Sequence, residues 1–321
     1  MRTKTKILCC VAFLAPIQFL WAQNSGLHAH KDTSIQVEGR YIQLSDVIVR
    51  SDVNIASFIK KVQDDTTFYK AFKNLRILSY TSINDIRMMD KKGGLIASLN
   101  SKTHQVRIGD CRSMQLLSEQ TTGDIRDRKG NWNFYTAQLY AGLFFTTGSV
   151  CGENNIVQGS LGNMDHLSGM DKHKEQLKLL FFNPGKPIPG IPFLGNKMDI
   201  FSKDAAELYD YNVDIEPYNG KDCYVFKVTA KDSLDKSQRD RVVIDEMTTW
   251  FDPKTMEVQG RIYDMSYDAG VYDFNVHMEA QLGKYGDLLV PTLLRYNGTW
   301  GVMFKGRERG VFTATLYDFG K

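Results

Sequence analysis

Asp165, His166, Asp171 and His173 come closest, by residue type and spacing, to a reaction centre in this sequence. Imidazole and carboxylate groups are ligands that zinc or manganese accepts. The two histidines are separated by a glycine-containing loop, with no regular element to fix them. They read as solvated loop residues, with His173 near a helix start, and not as a metal site. His277 falls on the polar face of a strand and reads as a surface histidine rather than a base. Asp245 and Glu246 are adjacent and so point to opposite faces, which does not suit a glycosidase pair. Nucleophile-elbow, zinc-protease, phosphate-loop and Cys-x-x-Cys signatures are all missing beyond residue 22. No catalytic residue, metal or cofactor is therefore predicted. Triads can be scattered along a chain, so a hydrolase or carbohydrate-active protein stays as a third reading.

The elements that would hold any site are strands. From Tyr272 to Leu282 every even position is apolar or aromatic, and the odd positions are Asp, Asn, His, Glu and Gln. Successive side chains of a strand point to opposite sides, so this pattern predicts one dry face and one wet face. Turn signals at Asp268-Ala269-Gly270 and Tyr285-Gly286-Asp287 bound it. Asn219-Gly220 reads as a tight turn, and Asp252-Pro253-Lys254-Thr255 as a type I turn. Val242 to Phe319 is thus an antiparallel meander.

Further upstream, Ser34–Gly39 and Tyr41–Arg50 alternate as strands, and Leu75–Met89 and Leu95–Ile108 form a hairpin about Lys91-Lys92-Gly93-Gly94. Val53 to Phe72 predicts one amphipathic helix with Asp52 as N-cap. Phe134 to Phe145 is apolar nearly all round and fits a buried helix or a buried strand. Gly148 to Gly169 reads as a long flap without regular structure, of the kind found over cavity mouths. Asp171 to Phe182 and Ser202 to Tyr209 predict short helices, the latter capped by Ser202. The prolines between Pro184 and Pro192 predict an extended loop.

Arg2, Lys4 and Lys6 precede an apolar stretch, Ile7 to Trp21, too short to span a bilayer comfortably. Residues 1–22 are expected to be a signal peptide, with a retained anchor helix as the alternative. No other segment is long and apolar enough to cross a membrane, so an exported protein, soluble after cleavage, is expected in the periplasm or at the periplasmic face of the outer membrane. The leader holds three of the 40 Lys+Arg and none of the 37 Asp+Glu. The chain beyond it is charge-balanced and offers no electrostatic footprint for nucleic acid. Cys111, Cys151 and Cys223 remain. Cys111 with Cys151 is the expected pair in an oxidising compartment, against three buried free thiols. Cys223 sits inside a strand, a poor place for a reactive thiol.

The run Thr249-Trp250-Phe251-Asp252-Pro253-Lys254-Thr255, then Val258–Tyr267, the hairpin into Tyr272–Leu282, and Gly286–Pro291 resembles the outer-membrane lipoprotein-sorting carriers of the LolA/LolB type. The helix ahead of the first hairpin fits that family's opening. The resemblance implies an α+β, β-rich fold: a curved antiparallel sheet forming an incomplete barrel covered by a few helices. Residues 23–321 would be a single domain with inserted loops around 148–170 and 183–197. It also implies a non-enzymatic carrier that sequesters a lipidic or amphiphilic ligand in an apolar half-barrel, with lipid or lipoprotein acyl chains, and other envelope proteins, as partners. Burying a dozen methylenes at roughly 0.8 kcal/mol each would offset the cost of removing a lipid from a membrane. The hollow would be lined by Trp250, Ile262, Tyr272, Phe274, Val276, Met278, Leu282 and Trp300. No residue matching the family's gating arginine is assigned. The alternative is an envelope interaction or scaffold module whose barrel is a packed core with no cavity.

Overall fold

The alternation over Tyr272–Leu282 lies inside the strand Tyr272–Tyr285, and the polar turns on either side of it connect antiparallel neighbours. The computed structural model describes residues 33–37, 40–44, 55–153, 179–187, 194–270, 272–302 and 305–321. The leader, Asp52, the residues from 154 to 178 (with Asp165, His166, Asp171 and His173) and part of the proline-rich loop lie outside these.

The strands are β1 Thr33–Val37, β2 Arg40–Leu44, β3 Ser79–Met89, β4 Leu95–Ile108, β5 Cys111–Thr122 and β6 Ser149–Cys151. They continue with β7 Tyr209–Tyr218, β8 Lys221–Ala230, β9 Ile244–Phe251, β10 Val258–Asp268, β11 Tyr272–Tyr285, β12 Leu288–Val302 and β13 Lys305–Gly320. All belong to one sheet in the order β1-β2-β7-β8-β9-β10-β11-β12-β13-β3-β4-β5-β6. The run from β7 to β6 is antiparallel throughout, and a single parallel pair, Leu44 with Tyr211, joins β2 to β7. The order is open, so the sheet does not close into a barrel.

Turn chemistry sets the hairpins. Asn219 and Gly220 both have positive φ, as a two-residue loop between Tyr218 and Lys221 demands. Asp252 accepts from the backbone N–H groups of Thr255 and Lys254, at 3.0 and 2.8 Å, and these bonds hold its carboxyl below the usual range. One cross-strand row, Tyr263, Met278, Tyr296, Phe312, Ile86 and Leu99, is buried through six successive strands. Register therefore places one side-chain set from β10 to β4 on a single interior face.

Helices cover that face. The single helix expected over Val53–Phe72 is two, α1 Ile55–Asp64 and α2 Thr67–Asn74. Asp65 breaks it by accepting from the N–H and hydroxyl of Thr67, at 2.8 and 2.6 Å, so side chain competes with helical backbone. Phe58 packs edge-on against Tyr224 and Phe251, and Phe72 lies tilted against Phe182 at 4.4 Å. Phe134–Phe145 resolves as a helix, α3 Tyr135–Phe144. Its N-terminus is capped from β13: Glu308 accepts from the N–H groups of Tyr135 and Thr136, at 2.9 and 2.8 Å, placing a carboxylate on the positive end of the helix dipole.

Two further expectations are corrected. Only Ala205–Leu208 of the predicted Ser202–Tyr209 helix is helical, and Ser202 is not its cap. The sheet claims Tyr209, which pairs with Ala230. Within the predicted flap, Ser149–Cys151 is a strand pairing with β5, and Cys151 lies opposite Cys111 and is disulfide-bonded to it. Cys223 is a buried free thiol, its pKa raised by burial.

Candidate functional site

The residues expected to line the ligand hollow divide between the two faces of the sheet. Phe274, Val276, Met278, Leu282 and Trp300 are buried on the interior face, and Tyr272 is half-buried beside Tyr267. Trp250 and Ile262 are on the other side. Ile262 lies opposite Thr248 and Glu279, in the polar set, and Trp250 stacks on Tyr218 at 4.7 Å. The interior positions next to them are Phe251, Arg261 and Tyr263. Two adjacent aromatics in a strand must face opposite ways, and Phe251 is the one turned inward.

Against β11 and β12 the interior is filled by the protein's own rings. Phe274 meets Trp300 at 5.0 Å, Phe181 meets Tyr296 and Trp300 at 5.7 and 6.2 Å, and Phe312 stacks on Tyr296 at 4.9 Å. Tyr140 of α3 closes on Phe312 at 4.7 Å. Tyr263 donates to the carbonyl of Phe181, and Trp300 donates to the hydroxyl of Tyr296. Burial pushes both phenols well above their ordinary pKa, so they stay neutral. The void left beside Met278 and Trp300 is about 40 Å³. That volume suits one or two waters, and an acyl chain does not fit.

The room lies further along the same face, over β4 and β5. An open cleft of about 480 Å³, within the range of small-molecule sites, lies between β4 and β5 on one side and α3 on the other, and Leu116 and Gly142 of its lining are exposed. Ser101, Thr103, Met114 and Leu116 form the floor. Ala141, Gly142, Phe145 and Thr146 come from α3 and the residues after it, and Trp132 closes one side. Trp132 stacks on Phe145 at 6.5 Å, and the guanidinium of Arg126 lies 4.4 Å over its ring while pairing with Glu119 at 3.2 Å. The loop carrying Trp132 is held by Asp127, which accepts from the backbone N–H groups of Lys129 and Asn131 at 2.8 Å each. Beside this cavity the interior row is polar. Asn84 donates to Thr103 and Ser101 at 3.3 and 3.4 Å, and accepts from Ser82 at 2.8 Å and from Tyr140 at 3.3 Å. Hydrophobic alternation gives no notice of this half, because interior positions occupied by Asn84, Ser101, Thr103 and Gln105 look like exterior ones.

Among the described residues, the grouping of metal-type ligands that comes together is Asp110 with Cys111 and Cys151, and both sulfurs are committed to the disulfide. His277 is on the polar face, 2.8 Å from Asp264 and 3.4 Å from Glu279. Glu246 pairs with Lys227 and Asp245 with Arg239, so those neighbours do not work together. No helix among the described residues is long and apolar enough to cross a membrane.

No family model and no curated protein match the sequence. The solved structures similar to it include a DUF1329 family protein from Desulfovibrio piger, at 15% identity over 81% of this chain and 88% of that one, TM-score 0.24. They also include a putative outer membrane lipoprotein-sorting protein domain from Vibrio parahaemolyticus, at 10% identity over 82% of this chain and 89% of that one, TM-score 0.24.

Proposed function

We propose that the chain is an exported, non-catalytic binding or carrier protein that sequesters an amphiphilic ligand, and that the ligand sits in the cavity over β4 and β5 and not in the hollow against β11. The cavity of about 480 Å³, apolar along Met114, Leu116, Trp132 and Phe145 and polar at Ser101, Thr103 and Thr146, carries this reading. Its two kinds of lining suit a molecule with an apolar body and a polar end, since apolar area removed from water drives uptake and a few placed polar groups fix orientation. The filled hollow at β11 supports the scaffold alternative for that half only. The signal-like N-terminus and the Cys111–Cys151 pair are consistent with an oxidising compartment such as the periplasm.

Gly142 supplies the test. It lines the cavity, and a Cβ built there meets nothing within 4 Å. Gly142→Leu adds a side chain without a clash at an exposed position of the lining, while removing a helix-interior glycine, which stabilises by roughly 0.5–1 kcal/mol. The expected result is an unchanged or raised Tm with loss of binding of a fluorescent fatty-acid probe, and loss of any lipid seen by native mass spectrometry of the wild type. A wild type that carries no lipid and takes up no probe, or a variant that binds as well as wild type, would overturn the assignment.

A further inference from the structure

Burial across the cleft has a direction. Gly142 and Gln138 of its lining are exposed and Leu116 is 57% exposed, whereas Ser101 and Thr103 are 5% and 4% exposed. The two hydroxyls therefore sit at the bottom, on one face of β4 because they are two residues apart in a strand. Alanine and valine would fill those positions without a polar atom to satisfy. Thr146, farther along the lining, is already committed: its hydroxyl accepts from Arg112 and lies 3.5 Å from the side-chain oxygen of Gln105, to which it donates.

Asn84, on β3, sets what the two bottom hydroxyls can do. Its side-chain nitrogen donates to Thr103 and Ser101, at 3.3 and 3.4 Å, so each of those oxygens already accepts. Its side-chain oxygen accepts from Ser82 and Tyr140, which occupies both lone pairs. The nitrogen also reaches the backbone carbonyl of Ser82 at 3.5 Å, a partner that only an N–H serves, and this fixes which end of the amide faces β4. The protons of Ser101 and Thr103 have no place on Asn84. Among the described residues no other acceptor takes them, so two buried donors are left facing the cleft.

Resting on the cleft as the ligand site, we infer that its ligand is an amphiphile with a compact terminal hydrogen-bond acceptor, a carbonyl or carboxylate, that goes to the bottom against Ser101 and Thr103 while its alkyl part runs outward along Leu116 and Phe145. A buried O–H without an acceptor is unfavourable, and a ligand oxygen that reaches it recovers that cost on binding. A head group too large for the bottom would stay at the mouth, out of reach of both hydroxyls.

Displacement of the fluorescent fatty-acid probe by 2-decanone, 5-decanone and 1-chlorodecane tests this. The two ketones have the same composition and differ only in where the acceptor lies along the chain. 2-Decanone should displace the probe at a concentration about tenfold below that of 5-decanone, whose carbonyl cannot reach the bottom without burying chain on both sides of it. Thr103→Val removes one donor and keeps the shape. It should weaken 2-decanone about fivefold and leave 1-chlorodecane unmoved, and Thr103→Ser, which keeps the hydroxyl, should behave as wild type. If Thr103→Val does not fold by circular dichroism, Ser101→Ala and the two ketones on the wild type decide the matter. Equal displacement by the two ketones, or a variant that weakens ketone and chloride alike, would overturn the assignment of the bottom while leaving the cleft as an amphiphile site. Failure of the wild type to take up the probe would remove the site itself.

Discussion

The two halves of the interior face are built by the same register and packed to opposite ends. Against β10 to β13 the inward positions are Tyr263, Met278, Tyr296, Trp300 and Phe312, and side chains of that size interlock with Phe181 and Tyr140 until about 40 Å³ is left. Against β4 and β5 the inward positions are Ser101, Thr103, Met114 and Leu116, and about 480 Å³ stays open under α3. Side-chain volume at alternate positions decides which half is core and which half can receive something. The aromatic stripe that attracts the eye in the sequence is the part least able to bind, because its rings already occupy the space that they define.

The largest expected effect falls in the filled half. Trp300→Ala removes a ring that touches Phe274 and Phe181 and donates to Tyr296. Truncating a buried aromatic costs about 3–5 kcal/mol, which a denaturant titration would read as a lower midpoint. Uptake of the fatty-acid probe should be unchanged while the variant is folded. If Trp300→Ala instead abolished uptake and left stability near wild type, the roles of the two halves would be reversed.

The open half depends on a covalent clamp. The disulfide between Cys111 and Cys151 encloses both the loop bearing Trp132 and helix α3, which are two walls of the cavity. Replacing both cysteines by Ser is expected to cost about 2–4 kcal/mol, through the freedom returned to the unfolded chain. Affinity for the probe should fall as the walls loosen, and reduction of the wild type should reproduce both changes. Lost stability with intact affinity would show that α3 holds its place without the clamp, through Glu308, Arg76 and the packing of Tyr140 and Phe144.

How far the sequence discloses this depends on where each cause lies along the chain. The strand at Tyr272–Leu282, the Asn219-Gly220 and Asp252 turns and the first hairpin are written in neighbouring residues, so they are legible. The break between α1 and α2 is set at Asp65, which caps Thr67 and faces Arg261 of β10 at 3.9 Å, a partner no local pattern reveals. Phe134–Phe145 is equally ambiguous from within, and the capping carboxylate that favours its helical form is Glu308, on another strand. Trp250 is misplaced by sequence reasoning because it adjoins Phe251 and because β10 shifts register between Val258 and Gly260, so the phase of β10 and β9 cannot be carried over from β11. The cavity is the least legible feature. Its floor is polar on the inside, and polarity is the signal by which an outside is recognised.

The smallest effect concerns the outer face behind the filled half. Partial burial lowers the pKa of His277, but the hydrogen bond and charge of Asp264, followed by those of Glu279, outweigh it and raise the net value above 6.5. A group whose folded pKa lies above its unfolded one stabilises fully below the unfolded value, and that contribution is lost as pH rises through the folded value. The wild type should therefore lose a little stability just above pH 6.5, in a step that His277→Gln removes from a plot of Tm against pH. The imidazole is well exposed, and solvent screening keeps the step small. Because His277 faces away from both hollows, probe affinity should show no matching change over the same range. A binding curve that followed the His277 step, and lost it in His277→Gln, would mean that the outer face and the cavity are coupled through the sheet, and that the filled half transmits to the open one instead of merely supporting it.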